Sequence, residues 1–90
     1  MFIAPMLYIL SVTMHGVPVA TYEPTTLMQC RINAQNEWAL FYTTNDNRER
    51  RALVTLCASE TDKTDRRYIK CLEKNGKLNG CIVSWDSNNL

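Results

Sequence analysis

The sequence predicts an all-β fold: a small six-stranded β-sandwich stapled by disulfides. Short runs of apolar, β-branched and aromatic residues recur between polar turn clusters, the spacing expected of a small sandwich or barrel. Asn75-Gly76, the strongest short signal for a two-residue hairpin, sits between two such runs. Four cysteines, an even number, stand in a chain of only 90 residues.

The first twenty residues read as a secretory leader. MFIAPMLYILSV has about the length of a signal h-region, and small residues follow at Gly16 and Ala20. Every Asp, Glu, Lys, Arg and Cys lies beyond residue 20. The run is too short, and too broken by Pro5 and Pro18, to span a bilayer. The alternative use of this stretch is a buried N-terminal strand or helix. With 1–20 as leader, 21–90 forms a single small β-rich domain.

Thr21–Thr26 is then a linker kept extended by Pro24. Leu27–Ile32 reads as the first strand, with Met28, Cys30 and Ile32 on its buried face. Asn33–Asn36 is turn-like. Glu37–Thr44 is rich in aromatic and β-branched residues and apolar on both faces, as suits an interior strand. Asn45-Asp46-Asn47 is a turn cluster, Arg48–Ala58 the return strand, and Ser59–Asp65 a polar loop. Arg66–Trp85 closes the domain as a hairpin about Asn75-Gly76, and Asp86–Leu90 is a tail. The count is five strands, or six if Leu72–Leu78 forms a small hairpin of its own. The competing arrangement is α+β with one helix near 61–75, capped by Thr61 or Thr64 and stopped at Gly76.

An uninterrupted hairpin register sets Cys71 opposite Gly80, Lys70 opposite Cys81 and Ile69 opposite Ile82. Cys71 and Cys81 then point to opposite sides of the sheet, which disfavours a bond between them. Asn79-Gly80, a second turn signal, leaves the register open. About seventy residues make a marginal core that needs staples, and the four cysteines supply them as two disulfides. Cys30–Cys71 with Cys57–Cys81, or Cys30–Cys81 with Cys57–Cys71, are the pairings that remain. A zinc site is disfavoured, since no two cysteines are closer in sequence than Cys71 and Cys81.

The only histidine, His15, falls within the leader stretch. Ser-His-Asp, Cys-His and histidine-dependent nuclease chemistry are therefore not expected of the mature chain. Paired cysteines offer no nucleophilic thiol. Glu37, Glu49, Glu60 and Glu73 read as surface acids rather than a glycosidase pair, and there is no Gly-rich phosphate loop. The expectation is no enzyme, no metal and no cofactor. Net charge is +1, so no polyanionic partner is implied.

Two basic clusters stand out: Arg48, Arg50 and Arg51, and then Arg66 and Arg67 with Lys70. With Trp38, Tyr42 and Tyr68 they could form a platform for single-stranded nucleic acid. The interspersed Glu49, Asp62 and Asp65 disfavour that use, and the arginines remain a candidate protein-binding surface. A charged outer strand can block unwanted pairing, or admit one partner by strand addition.

Cys30 in the first strand, Cys71 about forty residues later, and a short C-terminal hairpin (LEKNGKLNG, then CIVSW) together resemble the MAX effectors. These are ToxB-like and avirulence proteins secreted by plant-pathogenic fungi. The resemblance covers most of the mature chain by pattern rather than identity. It implies a six-stranded sandwich of two three-stranded sheets and the pairing Cys30–Cys71, which leaves Cys57 with Cys81. It also implies a secreted, non-enzymatic virulence or avirulence factor that binds a host protein and can be translocated into host cells; a monomer is expected. The alternative is a secreted toxin or inhibitor acting outside cells.

Overall fold

A computed structural model describes residues 6–44, 52–75 and 77–85. The elements are β1 (Tyr8–Met14), β2 (Val17–Thr21), α1 (Leu27–Thr44), β3 (Leu53–Ser59), β4 (Arg66–Lys74) and β5 (Lys77–Trp85). The strands form one antiparallel sheet in the order β2-β1-β3-β4-β5, and α1 packs on one face of it. The protein is β-rich and disulfide-stabilised. Among the described residues, the expected six strands and second sheet are replaced by five strands and a helix.

Residues 8–21, within the stretch read above as a leader, form β1 and β2. His15 and Gly16 turn the chain with φ of 51° and 78°, the left-handed pair that a tight hairpin requires. β1 pairs with β2 on one side and β3 on the other. Its alternation places Tyr8, Leu10 and Val12 under the helix, each 3% exposed or less. The apolar run thus takes the alternative role of a buried strand. The sheet as described includes residues 8–14 and 17–21.

α1 replaces the two strands expected at 27–32 and 37–44. The reason lies in a repeat that alternation concealed. Cys30, Ala34 and Trp38 recur every fourth residue and are all buried, with Leu27 and Phe41 packed beside them. Asn33, Gln35 and Asn36, which read as a turn, lie within the helix, and Gln29 donates to Asn33 Oδ1 at 3.0 Å. The Thr26 hydroxyl caps the first turn by accepting from the Gln29 amide at 3.1 Å.

The hairpin at the C-terminal end forms, and the alternative helix near 61–75 does not: this stretch is a loop followed by β4. Lys74 stands opposite Lys77, and Asn75 has a φ of 55°. Glu73 stands opposite Leu78 as the uninterrupted register requires. A bulge then intervenes, and Cys71 stands opposite Cys81. The extra residue lies on β5, where Gly80 has a φ of 80°, a conformation suited to glycine.

The bulge overturns the disulfide expectation. The bonds are Cys30–Cys57 and Cys71–Cys81, not Cys30–Cys71 and Cys57–Cys81. Cys71 and Cys81 share a face because the register has shifted by one. Cys57 is left for Cys30, and their Cα atoms are 6.1 Å apart. That bond ties helix to sheet at two wholly buried positions. All four thiols are consumed.

Candidate binding surface

Among the described residues the helix covers one side of the sheet and no element packs on the other. On the covered face lie Leu10, Val12, Leu53, Thr55, Cys57, Ile69 and Cys71. The bare face carries the alternate residues. Its rows follow the register: Ser11, Leu56, Tyr68 and Ser84 in one, and Thr13 with Val54 and Lys70 with Ile82 in the next. Val54, Leu72 and Ile82 are 41%, 42% and 49% exposed, and Leu56 and Tyr68 are half-buried. Apolar side chains from three adjacent strands thus gather on a surface with Lys70 among them.

The pairing of β3 with β4 ends at Thr55 opposite Ile69 and is not continued by Val54 and Leu53. Trp38 of α1 marks this point. Its indole Nε1 donates to Thr55 Oγ1 at 2.9 Å and to the Ile69 carbonyl at 3.1 Å, and Thr55 Oγ1 donates to the same carbonyl at 2.5 Å. Beside it lies a recess of about 480 Å³ bounded by Tyr42, Val54, Tyr68, Lys70 and Leu78, among others. The volume lies within the range that accommodates a ligand or an anchoring side chain. Tyr68, Lys70 and Ser84 belong to the bare face, so the recess borders it.

Of the candidate arginines, the two that are described do not share a face. Arg66 and Arg67, adjacent in sequence, fall on opposite sides of the sheet. Arg66 Nη2 makes a long contact of 3.4 Å with the Tyr68 hydroxyl on the bare side. On the other side, Arg67 Nε donates to Asp65 Oδ1 at 3.0 Å. Its guanidinium also lies 4.3 Å from the Trp85 ring centroid and 5.6 Å from that of Tyr8. Tyr8 completes the cluster by donating to Asp65 Oδ2 at 2.5 Å. Burial by itself pushes the Asp65 carboxyl up, but hydrogen bonds from Arg67 and Tyr8, with the Arg67 charge, hold it below its usual value. Arg67 is therefore engaged in holding the end of β4. Arg48, Arg50 and Arg51 lie outside the described residues.

Of the acids, Glu37 accepts from the Tyr22 hydroxyl, which ties the β2–α1 connection to the helix. Glu60 lies in the loop just after β3, whereas Glu73 is near the far end of β4. Trp38 is buried and committed to the core, so the nucleic-acid platform loses its largest ring. Among the described residues, no three acid, histidine or cysteine side chains gather as metal ligands, and no helix is long and apolar enough to cross a membrane.

Val54, Leu72 and Ile82 were not singled out from the sequence. Their alternation was visible, but recognising a bare face requires knowing which face the helix covers. The chain matches no family model, no curated protein and no solved structure.

Proposed function

We propose that this is a non-enzymatic, exported binding protein whose bare sheet face docks on a host protein, as an effector does. The observation that carries this reading is the set of exposed apolar side chains Val54, Leu72 and Ile82, which stand about Lys70 on β3, β4 and β5 with a recess at their edge. Contiguous apolar surface rimmed by polar residues marks interaction sites. A recess beside it can seat the kind of anchoring side chain that dominates interface energies. A net charge of +1 favours a protein partner over a polyanion.

Two intramolecular disulfides are typical of extracellular proteins, which supports export. The effector role is the one implied by the resemblance to MAX proteins, and it does not require their sandwich. β5 adds a second means of contact, a nine-residue edge strand without proline. The opposite edge, β2, is five residues long and contains Pro18.

The test is capture of host proteins by the oxidised chain, compared with V54K/I82K, whose substitutions fall on the bare face only. A partner retained by the parent and lost by the variant, with unchanged circular dichroism, is the expected result. Equal capture by both proteins, or lysis of target cells without any capture, would reject the docking face.

A further inference from the structure

We infer that the Cys71–Cys81 disulfide locks the register of the β4–β5 hairpin, and that its reduction exchanges the β5 side chains presented on the bare face. The consequence for binding rests on the function proposed above; the change of register does not.

Two registers share the same turn. Lys74 opposite Lys77 and Glu73 opposite Leu78 are common to both. Continued without interruption, the ladder sets Leu72 against Asn79, Cys71 against Gly80, Lys70 against Cys81 and Ile69 against Ile82. In the structure Leu72 instead faces both Asn79 and Gly80, and every later pair moves by one. A shift of one residue transfers every side chain of the strand to the other face. The bulged register places Ile82 and Ser84 on the bare face and Cys81, Val83 and Trp85 on the helix side. The uninterrupted register reverses the two sets.

Apart from the disulfide and the Arg67–Trp85 contact, which a slip would break, little distinguishes these states. Ile82 and Val83 are both β-branched and apolar, so either can pack against Ile69. β5 is an edge strand with one neighbour, so a slip disturbs a single ladder. The bulge itself interrupts that ladder and holds Gly80 at positive φ. A disulfide requires converging Cβ atoms, and only the bulged register provides them at positions 71 and 81.

The two disulfides also differ in access. Cys30 and Cys57 are both 0% exposed, whereas Cys71 is 5% exposed and Cys81 is half-buried. A dithiol reductant therefore reaches Cys81 first. Its thiolate attacks Cys81 Sγ, the disulfide breaks, and Cys71 leaves as a thiolate that takes up a proton. The reagent's second sulfur then displaces Cys81 as a thiol and closes a cyclic disulfide, so two electrons pass from dithiol to cystine. Entry into a reducing compartment would do the same.

The experiment has two arms. In the first, the folded chain is treated with limiting dithiothreitol, the freed thiols are alkylated, and the products are read by mass spectrometry. Modification at Cys71 and Cys81 ahead of Cys30 and Cys57 is expected; the reverse order, or simultaneous loss, overturns the selective step. In the second, cross-strand proton contacts are read by NMR in the oxidised chain and in C71S/C81S. Contacts of Ile69 with Val83 should give way to contacts with Ile82. A K70C/C71S chain, refolded and air-oxidised, should join its new thiol to Cys81, since only the uninterrupted register opposes them. Persistence of the Ile69–Val83 contacts overturns the lock, as does failure of K70C/C71S to cross-link. A C71S/C81S chain that does not fold overturns it too, because the second register is then not a folded state. None of these readouts needs a partner, so a failed capture experiment and a failed register experiment remain distinguishable.

Discussion

Asp65 shows how one buried charge can fix the acid limit of this protein. The residue is 8% exposed, and its carboxylate accepts from both Tyr8 and Arg67. Because its folded pKa lies below the ordinary value near 3.9, the stability it contributes is complete above the unfolded pKa. That stability is lost as pH falls through the folded one. We expect stability to decline below about pH 4. D65N should remove that part of the acid dependence while costing about 1–3 kcal/mol at neutral pH. Urea titrations of both chains across pH give the comparison.

Tyr22 sets a limit at the other end of the scale. Its hydrogen bond to Glu37, with lesser contributions from burial and the Glu37 charge, pushes the hydroxyl up to about 12. A raised pKa means that the protonated hydroxyl carries the stability. The contribution is full below the unfolded value near 10 and disappears as pH rises through the folded one. Thermal melts of Y22F should therefore be less stable than those of the parent at neutral pH, and the difference should close toward pH 12.

At the scale of elements, β1 has the largest structural consequence. It lies between β2 and β3, and its Leu10 and Val12 side chains are 0% exposed. A chain beginning at residue 21 loses that strand and its hairpin partner together. It leaves the core under α1 open, since burying a Leu or Val side chain contributes roughly 1.5–3 kcal/mol. Such a chain should show no cooperative unfolding transition by circular dichroism, whereas a chain beginning at residue 6 should. Much of this element was legible in the sequence as apolar alternation, and a buried strand was one of its two readings. What places the run in the sheet is the presence of partners on both sides, and partners are not a local property.

α1 was concealed for a different reason. Its sequence supports both periods: Trp38, Leu40 and Tyr42 alternate as in a strand, while Cys30, Ala34 and Trp38 recur as in a helix. Met28, Ile32 and Leu40 are apolar yet exposed at 74%, 42% and 58%, so the polar face that usually identifies a helix is missing. Contact with the sheet selects the helical stripe, because that stripe carries the cysteine that reaches Cys57.

Across the described structure, one layer of sheet and one helix enclose a small core, and the disulfides tie it at two places. Cys30–Cys57 joins the layers, and Cys71–Cys81 holds the edge strand. In the chain-entropy account, a separation of 27 residues makes the first bond worth on the order of 3 kcal/mol, and the second somewhat less. C30A/C57A should thus lower unfolding stability by about 2–5 kcal/mol, measured by guanidinium titration without reductant. Substitutions on the bare face such as I82K should stay within about 0.5 kcal/mol, because Ile82 packs against no second layer.

Composition and local pattern were sufficient to determine a β-rich chain, its polar loop at 60–65, the C-terminal hairpin and the pairing of all four cysteines into two bonds. These follow from turn chemistry, alternation and an even cysteine count, all properties of neighbours along the chain. Which cysteines pair, which period α1 obeys, whether 8–21 joins the sheet and which face stays bare were settled only in three dimensions. Each depends on contacts between segments far apart in sequence, and in the hairpin on one glycine whose positive φ moves the register by a single residue.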